Sequence, residues 1–245
     1  MWIDRLLQEQ LPRLARSFAV VVLTGPRQVG KTSILERTFS DYAYASLDDP
    51  QLAASAESRH EGFMKRYPPP VILDEIQYAP GVLTHIKRSV DRDRTARGQF
   101  IIAGSQSMQV MQSVSETLAG RATVIPFHSL SFGEWAGALA AYPAAEPFDF
   151  FYRGSFPGLW QDPEMRPPRE RWYQGYVATY LERDLRNVAR VGSLRDFDRF
   201  LRACAVRTAQ LLNMSDIARD VGIAPSTARE WISILVASGL VVLLE

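Results

Sequence analysis

The feature that most constrains this chain is a glycine-containing loop at residues 25–32, which reads GPRQVGKT. It has the spacing G-x-x-x-x-G-K-T and lies between the apolar run Phe18–Leu23 and a helical pattern that begins at Lys31. The glycines let successive backbone N–H groups turn inward, and the following helix adds the positive end of its dipole. A chance glycine-rich turn is the alternative, but the flanking strand and helix favour a loop that wraps a polyphosphate.

The side chains of this loop have separate predicted roles. We expect the ammonium of Lys31, one of three lysines among 28 basic residues, to bind the β- and γ-phosphates. The hydroxyl of Thr32 is expected to ligate Mg²⁺. The predicted cofactors are therefore ATP and Mg²⁺. The complete predicted nucleotide-binding set is Gly25, Pro26, Arg27, Gln28, Val29, Gly30, Lys31, Thr32 and Ser33.

Two adjacent carboxylates, Asp74 and Glu75, follow the apolar run Val71–Leu73. The ends of strands in parallel sheets face the ligand crevice. Asp74 is the second predicted Mg²⁺ ligand, and Glu75 is predicted to orient and polarise an attacking water. A solvated acidic turn is the alternative, but two acids at a strand end suit hydrolysis of the nucleotide.

Three further polar residues are weaker candidates. Ser105 and Gln106 follow the apolar run at 99–103, where a side chain could sense the γ-phosphate or hold the water, with a helix cap as the alternative. Arg121 could reach the γ-phosphate of a neighbouring subunit in a homo-oligomer, although a surface or structural role fits it equally well. The predicted catalytic set is Glu75, Lys31, Gln106 and Arg121.

Alternation of apolar runs with helical patterns predicts the fold class. The predicted strands are 18–23, 42–47, 71–73, 99–103 and 123–126, with helices over 31–39, 50–67, 80–91 and 107–118 between them. Asp49 followed by Pro50 has the composition of a helix start. This order predicts an α/β fold with a parallel sheet covered on both faces.

The pattern changes after Trp135, which indicates a second part of the chain. Residues 137–147 are alanine-rich and interrupted by proline, as is typical of a connection between domains. Apolar residues at three-to-four residue spacing then predict helices over 169–189 and 194–209.

Residues 214–244 have the pattern of a helix-turn-helix followed by the beginning of a wing. Ser215 is the predicted cap of the first helix, Gly222 the turn, and an apolar strand is expected after Gly239. The predicted exposed face of the second helix carries Thr227, Arg229, Glu230 and Ser233. Because only one of these is a cation, a packing or coupling role is favoured over DNA binding, which stays an alternative.

Composition and charge limit the class of protein further. A net charge of +1 gives no overall attraction to nucleic acid or to an anionic membrane. The single cysteine, Cys204, excludes an intrachain disulfide and favours a reducing compartment. The charged, amphipathic N-terminus and the lack of a run of about 18 apolar residues predict no membrane span. We therefore expect a cytoplasmic protein.

Several segments together resemble the AAA-type ATPases: the loop GPRQVGKTS, the strand end LDEIQ, the strand QFIIAGSQS and the run LAGRATVIPFHSLSFGEW. With SLDDP, YRGSFPGLW and YVATYLERDL, the resemblance covers nearly the whole chain. It narrows to the prokaryotic "ATP-binding protein" group, in which an AAA domain precedes a domain of unknown function numbered 4143.

This resemblance implies a P-loop NTPase core with five strands in the order 5-1-4-3-2, a helical lid and a winged-helix-like module. It implies Walker A at 25–32, Walker B at Asp74 and Glu75, a sensor at Ser105 and Gln106, and an arginine finger at Arg121. The expected domains are 1–136, 148–210 and 211–245. Relatives of this group continue into a nuclease-like domain, so a truncated chain is also expected. Arg183 is a weak second lid arginine, with a helix-surface ion pair as the favoured alternative.

The function that these features favour is Mg²⁺-dependent ATP binding and hydrolysis, coupled to movement of the lid and the winged segment. A nucleotide-gated regulatory protein with slow or no turnover is one alternative. A DNA-binding regulator is another.

Overall fold

The computed structural model describes residues 2–105, 114, 116–138, 146–162, 167–180 and 193–244. The chain divides into two compact units, Met1–Pro167 and Pro168–Glu245. These two units do not test the predicted division into three domains, which stays a prediction.

A five-stranded parallel sheet forms the centre of the first unit. Its strands are β1 (Val20–Gly25), β2 (Ala43–Ser46), β3 (Val71–Asp74), β4 (Phe100–Ser105) and β5 (Ala122–Pro126). Their order across the sheet is β2-β3-β4-β1-β5, and each neighbouring pair is parallel. The predicted α/β class and the predicted strand order are confirmed.

Residues 114 and 116–117 are helical, and seven further α-helices, described over their full length, connect or flank the strands of this unit. They are α1 (Leu11–Ser17), α2 (Lys31–Thr38), α3 (Pro50–Ser58), α4 (His60–Arg66), α5 (Val82–Arg92), α6 (Phe132–Gly137) and α7 (Pro147–Arg153). Short 3₁₀ turns occur at Leu6–Glu9, Ile76–Tyr78 and Pro157–Leu159.

Side chains of β1 alternate between two buried clusters, one on each face of the sheet. Val20 and Val22 pack in one cluster, and Val21 and Leu23 pack in the other. All six residues of β1 are buried, as expected for a central strand covered by helices on both sides. The sheet is therefore a fixed platform whose C-terminal edge carries the loop at 25–32.

Local signals predicted the start of α3 but not its end. Asp49 caps the helix by accepting hydrogen bonds from the amides of Gln51 and Leu52, and Pro50 is its first residue, as predicted. The single helix predicted over 50–67 is wrong, because the backbone leaves the helical region at Arg59. The hydroxyl of Ser58 bonds the carbonyl of Ala54 at 2.6 Å, a bond to the preceding turn that slightly destabilises a helix.

The second unit contains a separate helical core. Its helices are α8 (Arg169–Tyr180), α9 (Leu194–Val206), α10 (Met214–Val221) and α11 (Pro225–Ala237). Phe197 and Phe200 of α9 pack with Ile217 of α10 and with Trp231 and Leu235 of α11. The helix-turn-helix therefore shares its core with a helix that precedes it.

Two predictions about the C-terminal segment are wrong. Asn213 caps α10 by accepting from the amides of Ser215 and Asp216, so Ser215 is not the cap. Residues 241–244 form no strand. The amides of Leu240 and Val241 instead donate to the carbonyl of Leu235, which ties this backbone to the last turn of α11. Gly222 does make the turn, with a left-handed φ of 83°.

The described residues include no helix that is long and apolar enough to cross a membrane. The helix predicted over 107–118 lies largely outside these residues, as does Arg183.

Candidate nucleotide-binding site

The loop at 25–32 joins the end of β1 to the first residue of α2. Two of its residues have left-handed backbones, Gln28 with φ 61° and Gly30 with φ 94°. Gly25 lies so close to Phe127 that an added Cβ would stand 1.9 Å from the Phe127 carbonyl oxygen. The loop therefore requires glycine at 25 for lack of space and at 30 for conformation.

The side chain of Lys31 lies buried across this loop, with 6% of the residue exposed. Its Nζ donates to the carbonyls of Gly25 at 3.0 Å and Pro26 at 2.8 Å. The ammonium thus lies against the loop's own backbone, at the place where a polyphosphate is predicted to bind.

Asp74 is buried at the end of β3 and is the meeting point of three elements. Its Oδ2 accepts hydrogen bonds from the Thr32 hydroxyl at 2.5 Å and from the Tyr44 hydroxyl at 3.0 Å. Its Oδ1 accepts from the amide of Glu75 at 2.9 Å. The two predicted Mg²⁺ ligands, Thr32 and Asp74, therefore lie in direct contact.

Tyr44 is a residue of this site that the sequence reasoning missed. Burial, and then the charge of Asp74, raise the pKa of the Tyr44 phenol above its ordinary value, so the hydroxyl keeps its proton and donates. The strand register of the structure explains the contact: Tyr44 pairs with Ile72, two residues before Asp74, and alternate residues share one face of a sheet.

A hydroxyl and a carboxylate are the donors expected for Mg²⁺. This ion takes oxygen ligands and is commonly held by one or two carboxylates together with substrate phosphates and water. Thr32 and Asp74 fit this chemistry, because their oxygens converge at the end of the loop.

Glu75 has a left-handed backbone, with φ 57°, which is uncommon for a residue with a side chain. The side-chain Nε2 of Gln77 donates to Oε2 of Glu75, and Oε1 of Glu75 lies 4.0 Å from Nη1 of Arg27. Arg27 also donates to the Tyr78 hydroxyl at 3.1 Å. Glu75 is therefore held between its own strand end and the loop at 25–32.

Gln77 is the second residue that the sequence reasoning missed. An added Cβ on Gly104 of β4 would lie 2.9 Å from Oε1 of Gln77, so this side chain packs directly against β4 while its amide reaches Glu75. It stands two positions after Glu75 in the segment LDEIQ, where the proximity of a polar amide could have been noticed.

The predicted sensor is described only in part. Ser105 ends β4, and its backbone is in register with Gly25, which sets it beside the loop. Gln106 lies outside the described residues, so its predicted role stays a prediction.

Arg121 lies at the N-terminal edge of the sheet, opposite the C-terminal edge that carries the loop at 25–32 of the same chain. It precedes β5, whose residue Ala122 is in register with Val20, the first residue of β1. Its guanidinium forms an ion pair with Asp91, with Nη2 2.8 Å from Oδ1, and donates to the carbonyl of Ala119. Within one chain Arg121 is therefore a structural group, and its predicted role between subunits stays a prediction.

The parallel sheet of five strands, with this loop after the first of them, has the fold of a P-loop NTPase. Residues 17–136 match the AAA domain family, and this similarity supports nucleotide binding in general. Residues 146–245 match a domain of unknown function, DUF8612. The domain of unknown function numbered 4143 was therefore the wrong name for this segment.

Two curated relatives are similar to this chain in sequence, and one solved structure is similar to it in fold. The uncharacterized proteins Mb2031c of Mycobacterium bovis and Rv2008c of Mycobacterium tuberculosis are each 29% identical over 237 residues. The match covers 92% of this chain and 49% of each relative, so the chain spans about half of their length. The Walker-type ATPase PABY2304 of Pyrococcus abyssi is 14% identical, with a TM-score of 0.62 over 98% of this chain and 91% of that one.

Proposed function

We propose that this protein binds ATP together with Mg²⁺ and hydrolyses it at the C-terminal edge of the sheet. The observation that carries the proposal is the meeting of Thr32, from the end of the glycine loop, with the carboxylate of Asp74. A hydroxyl and a carboxylate in contact beside a loop of inward-turned amides suit a metal-bound polyphosphate.

Phosphate binding begins with the loop amides and with Lys31. The Nζ of Lys31 bonds the carbonyls of Gly25 and Pro26, so binding replaces these two neutral acceptors with charged phosphate oxygens. Hydrogen bonds between ionised groups are roughly twice as strong as neutral ones, which favours the exchange. The dipole of α2 adds to the attraction.

Thr32 and Asp74 would hold the metal ion, and Tyr44 would keep the Asp74 carboxylate in place. When bound, the ion neutralises negative charge on the β- and γ-phosphate oxygens. Because Tyr44 donates to the same oxygen as Thr32, its proton opposes rotation of the carboxylate away from the site.

Glu75 is the group that would act on the water. In the proposed step, the water oxygen forms a bond to the γ-phosphorus as the bond from that phosphorus to the bridging oxygen of ADP breaks. The Glu75 carboxylate accepts the water proton. Gln77 and Arg27 hold this carboxylate, so Glu75 must exchange those contacts for a water to reach its working position.

The contacts of Glu75 also favour a second function, a nucleotide-gated switch with slow turnover. A carboxylate that contacts Gln77 and lies near Arg27 must release those contacts before it can accept a hydrogen bond from water. In both functions we propose that the γ-phosphate drives movement of the segments 148–210 and 211–245, because only differential contacts can shift such an equilibrium.

Calorimetry with Mg²⁺ and ATP tests the proposal. The wild-type protein should bind ATP, and Lys31→Ala should weaken binding by about 100-fold or more, since the loss of a charged contact is worth at least a few kcal/mol. Lys87→Ala is the matched control, because Lys87 lies on α5 and has no contact with the loop among the described hydrogen bonds. Absence of heat from the wild-type protein would rule out the proposed function.

A further inference from the structure

Arg5 is a buried arginine whose guanidinium touches the phosphate loop from the side of the N-terminal segment. Its side chain is 4% exposed, and its Nη1 donates to the carbonyl of Val29 at 2.8 Å. Its Nη2 donates to the carbonyl of His128 at 2.7 Å, and the guanidinium stacks 4.1 Å above the ring of Phe127. One side chain thus joins the N-terminal segment, the loop at 25–32 and the segment after β5.

Glu134 balances the charge of this arginine. Its Oε1 lies 3.2 Å from Nε of Arg5 and accepts from the amide of Leu6 at 2.9 Å, while Oε2 accepts from the amide of Ser131 at 2.8 Å. Burial alone would raise the pKa of Glu134, but the two amides and Arg5 outweigh it and lower that pKa. Burial lowers the pKa of Arg5, and Glu134 opposes this change. Both groups of the pair are therefore ionised, and both are buried in the fold.

The bond to Val29 has a consequence for the neighbouring amide. In a trans peptide the carbonyl of one residue and the N–H of the next point in opposite directions. The carbonyl of Val29 points to Arg5, so the N–H of Gly30 points to the other side of the loop. That N–H belongs to the residue immediately before Lys31 and α2. A cation on the carbonyl also polarises the peptide and strengthens the N–H as a donor.

We infer that Arg5 is a positioning residue for phosphate binding, which fixes the Val29–Gly30 peptide with its N–H toward the polyphosphate. The inference rests on the proposed function, because it assigns Arg5 to the same site. Arg5 itself does not touch the nucleotide; it acts through the orientation of one peptide. The other contacts of its guanidinium, to the segment after β5, keep the guanidinium in this position.

Two variants separate this role from a contribution to stability alone. Arg5→Met leaves Glu134 buried without its partner, which destabilises a fold strongly. Arg5→Met combined with Glu134→Gln removes both charges and should recover part of the melting temperature that the single variant loses, because the NH₂ group of glutamine cannot accept from one of the two amides that Glu134 binds. The carbonyl of Val29 has no guanidinium in either variant, so nucleotide binding should stay weak in both.

Arg37→Ala is the matched control for loosening of the N-terminal segment. The guanidinium of Arg37 lies 4.9 Å from the ring of Trp2, in the same segment as Arg5, and the residue is exposed on α2. By calorimetry we expect the double variant to bind MgATP about 10-fold or more weakly, and Arg37→Ala to stay within about 2-fold of wild type. A double variant that binds as tightly as wild type would overturn the inference.

Hydrogen exchange without nucleotide distinguishes failure of this inference from failure of the proposed function. The backbone N–H groups of residues 27–32 should exchange about 10-fold or more faster in the double variant than in wild type or Arg37→Ala, because the Val29–Gly30 peptide has lost its hydrogen bond to Arg5. If the wild-type protein binds no ATP, the proposed function fails, and faster exchange would still support the role of Arg5 in the loop. Unchanged exchange at these amides would contradict that role.

Discussion

The hydroxyl of Thr32 donates a 2.5 Å hydrogen bond to Oδ2 of Asp74, and so joins the first turn of α2 to the end of β3. These two residues are 42 positions apart in the sequence. The same oxygen accepts from the hydroxyl of Tyr44 on β2. The contact links three secondary-structure elements at the point where the metal ion is proposed to bind.

Tyr44→Phe should raise the Mg²⁺ concentration needed for half-maximal ATP turnover by about 10-fold, since groups that orient a metal ligand typically contribute this much to affinity. ATP binding measured without Mg²⁺ should not change. Tyr42→Phe is the control, because Tyr42 lies just before β2 and its ring packs 5.0 Å from the ring of Phe39. An unchanged Mg²⁺ dependence in Tyr44→Phe would show that the hydroxyl does not position Asp74.

Glu75→Gln tests which of the two proposed functions holds. If Glu75 accepts the proton of the water, phosphate release in the steady state should fall by about 100-fold or more, while ATP affinity by calorimetry stays near that of wild type. Glu57→Gln is the control, since Glu57 is an exposed carboxylate that accepts from the amide of Gly81. Equal turnover in Glu75→Gln and wild type would favour the switch over the hydrolase.

The two glycines Gly25 and Gly62 should respond oppositely to alanine. A Cβ at Gly25 would meet the backbone oxygen of Phe127 at 1.9 Å, whereas nothing lies within 4 Å of a Cβ at Gly62. Gly25→Ala should therefore lower the free energy of unfolding by about 3 kcal/mol or more, as backbone contacts cannot yield cheaply. Gly62→Ala, inside α4, should raise it by about 0.5–1 kcal/mol.

Chemical denaturation of both variants measures these differences. The prediction for Gly25 fails if the alanine variant unfolds at the same denaturant concentration as wild type. The prediction for Gly62 fails if that variant is less stable than wild type.

Features carried by neighbouring residues were predictable from the sequence. The glycine loop, the alternation of strands and helices, and the Asp49 cap of α3 each depend on a few adjacent positions. The parallel order of the sheet then follows from the family resemblance. Boundaries such as the break at Arg59 were not predictable, because they depend on which side chains bond the last-turn carbonyls.

Contacts between distant segments were the part that the sequence could not supply. Arg5 bonds the carbonyl of His128, 123 positions away, and backbone carbonyls have no residue-specific signal in the sequence. The prediction of a strand after Gly239 failed for a related reason. The run is apolar, but the backbone N–H groups of Leu240 and Val241 donate to the carbonyl of Leu235 and not to a neighbouring strand. An apolar pattern does not indicate which hydrogen-bond partners a segment will find.

We expect Arg121 to affect turnover only by acting on the nucleotide of a neighbouring subunit. Within its own chain it is paired with Asp91 at the N-terminal edge of the sheet, away from the loop at 25–32. If it acts as predicted, turnover per molecule should rise with protein concentration and Arg121→Ala should remove that rise. A mixture of Arg121→Ala and Lys31→Ala, each inactive alone, should regain activity, because mixed contacts join an intact Lys31 site to an intact Arg121.

Arg94→Ala is the control for this experiment, as Arg94 is an exposed neighbour 3.8 Å from the same aspartate. No activity in the mixture, together with turnover that is independent of concentration, would assign Arg121 to a structural role alone.

The second unit should bind duplex DNA weakly. Four of its arginines form ion pairs with aspartates of the same unit: Arg199 with Asp196, Arg202 with Asp198, Arg207 with Asp220 and Arg219 with Asp216. Each such pair reduces the positive charge that phosphates can meet, and affinity for DNA depends on the number of phosphates neutralised.

By fluorescence anisotropy at physiological salt, we expect the wild-type protein to bind duplex DNA with a Kd of about 10⁻⁴ M or weaker, in the range of non-specific binding. Replacing Asp216 and Asp220 with asparagine releases Arg219 and Arg207, and should strengthen binding with a steeper dependence on salt. Micromolar binding by wild type that disappears with Arg229→Ala would instead support the DNA-binding alternative, because Arg229 is the cation predicted on the exposed face of α11. In that case DNA phosphates would displace the aspartates of this unit from their arginines. DNA binding by wild type and by the asparagine variant would then have the same dependence on salt.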